Sequence, residues 1–195
     1  MDTCKGLQIP SLVVTYIKKI IQNAMRITAF PLVLLLFLFN TNCSKTKSFS
    51  IDVSKITVTD AFGNSAGEVD PSDWGFDAEW SETEKSFFLA DPVDLSESKQ
   101  ATITMLPAYP NPTSNRLITF RFNSTDTSFV KVALVDEKLK RLAFYSLKIY
   151  AGLNVFNFSF PESLFPARRN YRLYYSFDTF SNPGYFKGHG DISVQ

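Results

Sequence analysis

Ile118-Thr119-Phe120-Arg121-Phe122 alternates apolar with polar residues, and Val130-Lys131-Val132-Ala133-Leu134 nearly repeats the pattern after a short polar break. A period of two puts one face of an extended chain in a core and the other in water, so both segments read as half-buried β-strands. Working outward, Ala143, Tyr145, Leu147 and Ile149 continue the alternation, and Phe156, Phe158 and Phe160 give the next inward face. Leu173, Tyr175 and Phe177 form another, and Ile192 with Val194 a last short strand. Ala151-Gly152-Leu153-Asn154, Pro161 and Asn182-Pro183-Gly184 punctuate these runs as turns. Six or seven short strands within residues 101–195 predict an all-β fold, an antiparallel immunoglobulin-like β-sandwich. The 19 Phe and 8 Tyr agree, because aromatic rings suit a pleated, half-buried surface.

Residues 51–100 read as an acidic extension. From Asp52 to Glu97 there are 12 acids against Lys55 and Lys85, whereas Ser98 to Gln195 holds 6 acids against 12 Lys and Arg. Opposite charge on the two parts predicts that the extension lies on the sandwich, with a separate partner surface as the alternative. Ile51, Val53, Ile56 and Val58 form a strand-like run ending at an Asp60-to-Asn64 turn. Ser81 followed by Glu84 is a capping box, so one short helix is expected to start there and to end by Ala90, ahead of Asp91-Pro92. Trp74, Phe76, Trp80, Phe87 and Phe88 are expected to cover the sandwich.

The amino-terminal region is read as an address. Met25-Arg26 opens an apolar run from Ile27 to Phe39, and Asn40-Thr41-Asn42-Cys43-Ser44-Lys45 closes it. Such a run is short for a bilayer span and matches a secretory signal. Residues 1–42 are therefore set aside as the signal region, with Met25 as the expected true start. A Cys directly after the apolar core resembles the bacterial lipoprotein signal, which implies lipidation of Cys43, residues 43–50 as a tether and a lipid-anchored place in the cell envelope, at the outer membrane or cell surface. An idle thiol and an uncleaved anchor are the other readings of Cys43. The only other cysteine is Cys4, so no disulfide framework is expected.

Tyr109-Pro110-Asn111-Pro112, followed by Thr113-Ser114-Asn115 and the strand from Leu117, resembles the opening of the C-terminal sorting domain of type IX secretion. The resemblance extends over the turn at Asp136 to Lys140, Gly152-Leu153-Asn154, Pro161 to Leu164 and the Tyr171 to Tyr175 strand. It implies an immunoglobulin-like sandwich and secretion machinery as a partner. The chain differs from the family at Arg168-Arg169-Asn170 and in the added Lys187-Gly188-His189-Gly190-Asp191, so the fold is carried over more readily than the secretion role. Two prolines fix extended backbone without donating hydrogen bonds, which suits an edge entering a sheet.

Residues for catalysis are scarce. His189 is the one histidine and reads as a flexible turn residue rather than a ligand or base. Asp70, Asp73, Asp77 and Glu79 lack the spacing of a calcium loop and read as a solvated turn. A net charge of +1 and a single Arg168-Arg169 pair give no nucleic-acid surface. No cofactor or metal is expected, and the chain is read as non-enzymatic. The expected function is a structural or protein-interaction sandwich in the envelope, acting on an unknown envelope protein. The alternatives are a type IX cargo or accessory, and a carbohydrate-binding module using Trp74, Trp80, Tyr174 and Tyr185.

Overall fold

The computed structural model describes residues 50–89 and 94–195, and the readings that fall on residues 1–49, Cys43 and the signal region among them, lie outside the described residues. Among the described residues seven strands follow one short helix: α1 (Glu82–Ser86), β1 (Ile103–Tyr109), β2 (Leu117–Ser124), β3 (Ser128–Val135), β4 (Arg141–Ile149), β5 (Gly152–Ser159), β6 (Arg169–Asp178) and β7 (Phe186–Val194). They form a three-stranded sheet in the order β1-β2-β5 and a four-stranded sheet in the order β4-β3-β6-β7. Every strand pairing is antiparallel. The predicted antiparallel sandwich is what the chain forms, with its helix-bearing extension ahead of it.

The alternation read from the sequence sets the core. Ile118, Phe120 and Phe122 of β2 face Val130, Val132 and Leu134 of β3 and Leu173, Tyr175 and Phe177 of β6, all essentially excluded from water. Phe122 meets Phe177 edge-on at 4.9 Å between ring centres. Such pairs add roughly 0.5–1.5 kcal/mol to the burial of the rings themselves. A second apolar cluster lies on the opposite face of the four-stranded sheet, where Ala133, Val135 and Tyr174 take Trp80 and Phe87 from the extension. Helix α1 has the expected capping box: the Ser81 hydroxyl accepts from the Glu84 amide and the Glu84 carboxylate accepts from the Ser81 amide.

Three expectations need correction. Ile51 to Val58 is not a strand, because its backbone groups go to different partners: Ile51 donates to Glu137, Thr57 to the Asp73 carboxylate and Val58 to Glu68. Residues 187–191 are no appended turn. They form the middle of β7, paired with Ser176 through Arg172 of β6, so His189 sits in a strand. Strand β1 was hidden by Pro107 and by a register shift between Leu106 and Tyr109 that breaks the alternation. The Tyr109-to-Pro112 run accordingly leaves β1 rather than entering a sheet, and both of its prolines follow cis peptide bonds.

Candidate functional site

The chemistry-bearing side chains gather where the extension, the Tyr109-to-Pro112 loop and β7 meet. Gly188 and Gly190 make this junction possible. Any Cβ on Gly190 would overlap the Trp74 ring, and one on Gly188 would overlap the Gly75 carbonyl. These glycines face the core, and His189 and Asp191 face the other way. The extension therefore enters with Trp74 between the two sheets, its backbone at φ 58°, and crosses the edge of β7 to the outer face of that sheet. The Trp74 amide donates to the His189 carbonyl at 2.7 Å and the Asp77 amide to the Lys187 carbonyl at 2.8 Å.

Side chains complete the attachment. Asp73 accepts from the amides of Thr57 (2.8 Å) and Asp191 (2.9 Å). Burial pushes its carboxyl up to about 6, the nearby Asp191 charge adds to this, and the two amide bonds oppose it. Asp191 itself receives both Nε and Nη2 of Arg172 at 2.7 Å. Burial alone would lower the Arg172 pKa, but the twin bonds to Asp191 outweigh it and keep the guanidinium charged. Arg172 Nη2 also donates to the Asp52 carbonyl at 2.7 Å, tying down the start of the extension. Asp77 accepts from Trp80 Nε1 at 2.9 Å and lies 2.7 Å from His189 Nδ1.

The sorting-like residues take part in the same junction. Asn111 is fully buried: its Nδ2 donates to the carbonyls of Thr57 (2.9 Å) and Asp191 (2.8 Å), and its Oδ1 accepts from the Ser193 amide (2.9 Å). Its backbone exchanges hydrogen bonds with Thr59. One side chain thus joins the extension, the loop and β7. Tyr109, Pro110 and Pro112 are half-buried, with the Tyr109 ring 4.5 Å beneath the Arg121 guanidinium. Thr113 extends the contact, donating its amide to Ser193 and accepting from the Gln195 amide.

No family model and no curated protein sequence matches this chain.

Several sequence expectations resolve differently here. The acids read as a solvated turn are not all solvated: Asp70 accepts from Ser72 in its own turn, but Asp73 is buried on two amides and Asp77 is half-buried against Trp80 and His189. Among the described residues no group of three or more His, Cys, Asp or Glu side chains is placed to hold a metal ion. Trp74, Trp80 and Tyr174 are buried and Tyr185 is half-buried, so these four form no exposed aromatic platform for a sugar. Trp80 instead stacks on Phe88 (5.1 Å) and meets Tyr174 edge-on (5.5 Å). Phe76 remains 58% exposed, unlike the other four aromatic residues expected to cover the sandwich.

Charge attraction between the two parts is a minor term. Glu97 with Lys148 is a largely exposed pair, and exposed pairs contribute roughly 0–1 kcal/mol. The extension is held chiefly by aromatic burial and by bonds to backbone groups. Thr57 and Ser193 were not singled out from the sequence, and Gly188 and Gly190 were read only as part of an added segment, though Gly-His-Gly spacing on one strand is a usable signal for close approach by another chain segment. Among the described residues no helix is long and apolar enough to cross a membrane.

Proposed function

We propose that this chain is a non-catalytic cell-envelope lipoprotein, anchored through lipid on Cys43 and acting through its β-sandwich as a structural or protein-interaction module. The observation that carries the reading is the use made of the polar side chains at the junction. Asn111, Asp73, Arg172 and Asp191 each bind protein atoms, and together they hold the extension against β7. The apolar run to Phe39 followed by Cys43 supports the anchor. Each acyl methylene buried in a bilayer adds about 0.8 kcal/mol, so stable attachment takes more than one chain.

The test is intact mass and detergent partitioning of the full chain expressed in a Gram-negative host, beside Cys43→Ala. Acyl mass on a product beginning at Cys43, lost together with membrane association in the variant, is the expected result. Soluble forms of both, cut elsewhere, would sink the anchor.

A second reading, a type IX cargo or accessory, draws on the Tyr109-to-Pro112 loop. Tyr109, Pro110 and Pro112 reach the surface, but Asn111 is committed to the fold. If residues 101–195 fused to a reporter are carried to the cell surface by type IX machinery, the sorting role replaces the structural one.

A further inference from the structure

We propose that β5 is a docking edge for a second copy of this chain, two copies joining their three-stranded sheets into one continuous sheet about a two-fold axis at Phe156.

A sheet edge presents unpaired amide and carbonyl groups, and proteins blunt such edges with prolines, charges, bulges or a covering segment. Three of the four edges here are treated in that way. The extension and the 111–113 loop cover β7 through the bonds to Lys187, His189, Asp191 and Ser193. Strand β1 carries Pro107 and a register shift. Strand β4 carries Arg141 and Lys148, bonded to the extension at Phe87 and Glu97, and a register shift against β3. Strand β5 has no proline, no charged residue and an unbroken register with β2 along its whole length. Among the described residues, no hydrogen bond from the extension reaches it.

The register shows which groups are free. The Phe160 amide donates to the Arg116 carbonyl at 2.9 Å, continuing the β2–β5 ladder. Bonded positions alternate in an antiparallel pair, so Asn154, Phe156 and Phe158 turn their backbone groups toward β2. Leu153, Val155, Asn157 and Ser159 turn theirs outward.

Only an extended backbone can satisfy such a row of alternating donors and acceptors. A second copy fits it. With Phe156 on a two-fold axis, Leu153 faces the partner's Ser159 and Val155 faces the partner's Asn157, so every outward group finds a mate. Phe156 then meets its own copy at the closer, non-bonded spacing. It is half-buried with its ring 6.1 Å from Phe122, and a second Phe156 would cover its exposed edge. Self-pairing of a charged strand risks setting like charges face to face; β5 has none to oppose. Leu153 and Val155 are 60% and 49% exposed, apolar surface that the pairing removes from water.

The experiment uses residues 48–195, which form one compact unit containing both apolar clusters and so carry their own core. Sedimentation equilibrium from low micromolar to near-millimolar concentration should show reversible dimerisation. Val155→Lys with Asn157→Lys sets like charges opposite each other at both symmetric positions and should weaken the dimer roughly tenfold. Val155→Lys with Asn157→Glu sets opposite charges there and should preserve the dimer in low salt. Positions 155 and 157 are both exposed, so thermal unfolding should stay close to wild type and separate association from folding. A monomeric wild type at every concentration overturns the proposal. So does equal behaviour of the two double variants, which would place any dimer contact elsewhere. Amide exchange at residues 153, 155, 157 and 159 identifies other occupants: protection only in the full chain assigns the edge to residues 1–47, and protection only on adding envelope extract assigns it to a foreign strand. Either result overturns the second copy.

Discussion

Replacing Asn111 by Ala removes three buried hydrogen bonds at once and leaves the Thr57 and Asp191 carbonyls and the Ser193 amide without their partner. Each neutral bond contributes about 1 kcal/mol net, and a buried group left unsatisfied costs about 1–3 kcal/mol. The backbone bonds between residue 111 and Thr59 survive the substitution, which limits the damage. The expected loss is about 3–5 kcal/mol, a large share of the roughly 5–15 kcal/mol that stabilises a typical domain. Urea unfolding of residues 48–195, followed by tryptophan fluorescence, measures it directly, because Trp74 lies in the same junction. Tyr109→Phe keeps the ring beneath Arg121 and is the near-neutral comparison. An Asn111→Ala protein within about 1 kcal/mol of wild type would refute the view that this residue fastens the extension to β7.

Gly190→Ala drives a methyl group into the Trp74 ring and should expel it from between the sheets, seen as a red-shifted emission; unchanged emission would show that the ring is not seated there. Asp73 should titrate by carboxyl NMR with a midpoint near 6, against about 3.9 in an unfolded chain. Because its folded pKa is the higher one, this group's contribution to stability is fully present below the unfolded value and is lost as pH rises through about 6. A midpoint in the ordinary carboxylate range would mean that water reaches the group. Trp80→Ala removes the ring stacked on Phe88 and set edge-on to Tyr174 and should cost about 3–5 kcal/mol; limited proteolysis should then cut within residues 74–89 well before the sandwich.

The inward faces of β2, β3 and β6 were legible in the sequence because alternation along one strand is a local property. The capping box at Ser81 was legible for the same reason. The junction was not. Asn111 finds its partners 54 and 80 residues away, and Asp73 reaches Asp191 across 118, distances over which no spacing rule operates. Lys187 to Asp191 read as a turn because two glycines usually weaken a strand, whereas here they make room for Trp74 and Gly75. The same aromatic residues that suggested a sugar platform turned out to be the filling between layers, since ring-rich composition alone does not say which face is wet.

The attachment of the extension to β7 joins the earliest described segment of the chain to its last described strand. During synthesis Trp74 and Asn111 emerge well before residues 186–194, and their bonds to β7 form only once those residues follow. Closure of such distant contacts is slow relative to local structure. A chain without residues 186–194 would thus leave the extension without the groups at Lys187, His189, Asp191 and Ser193 that fasten it and its neighbouring loop.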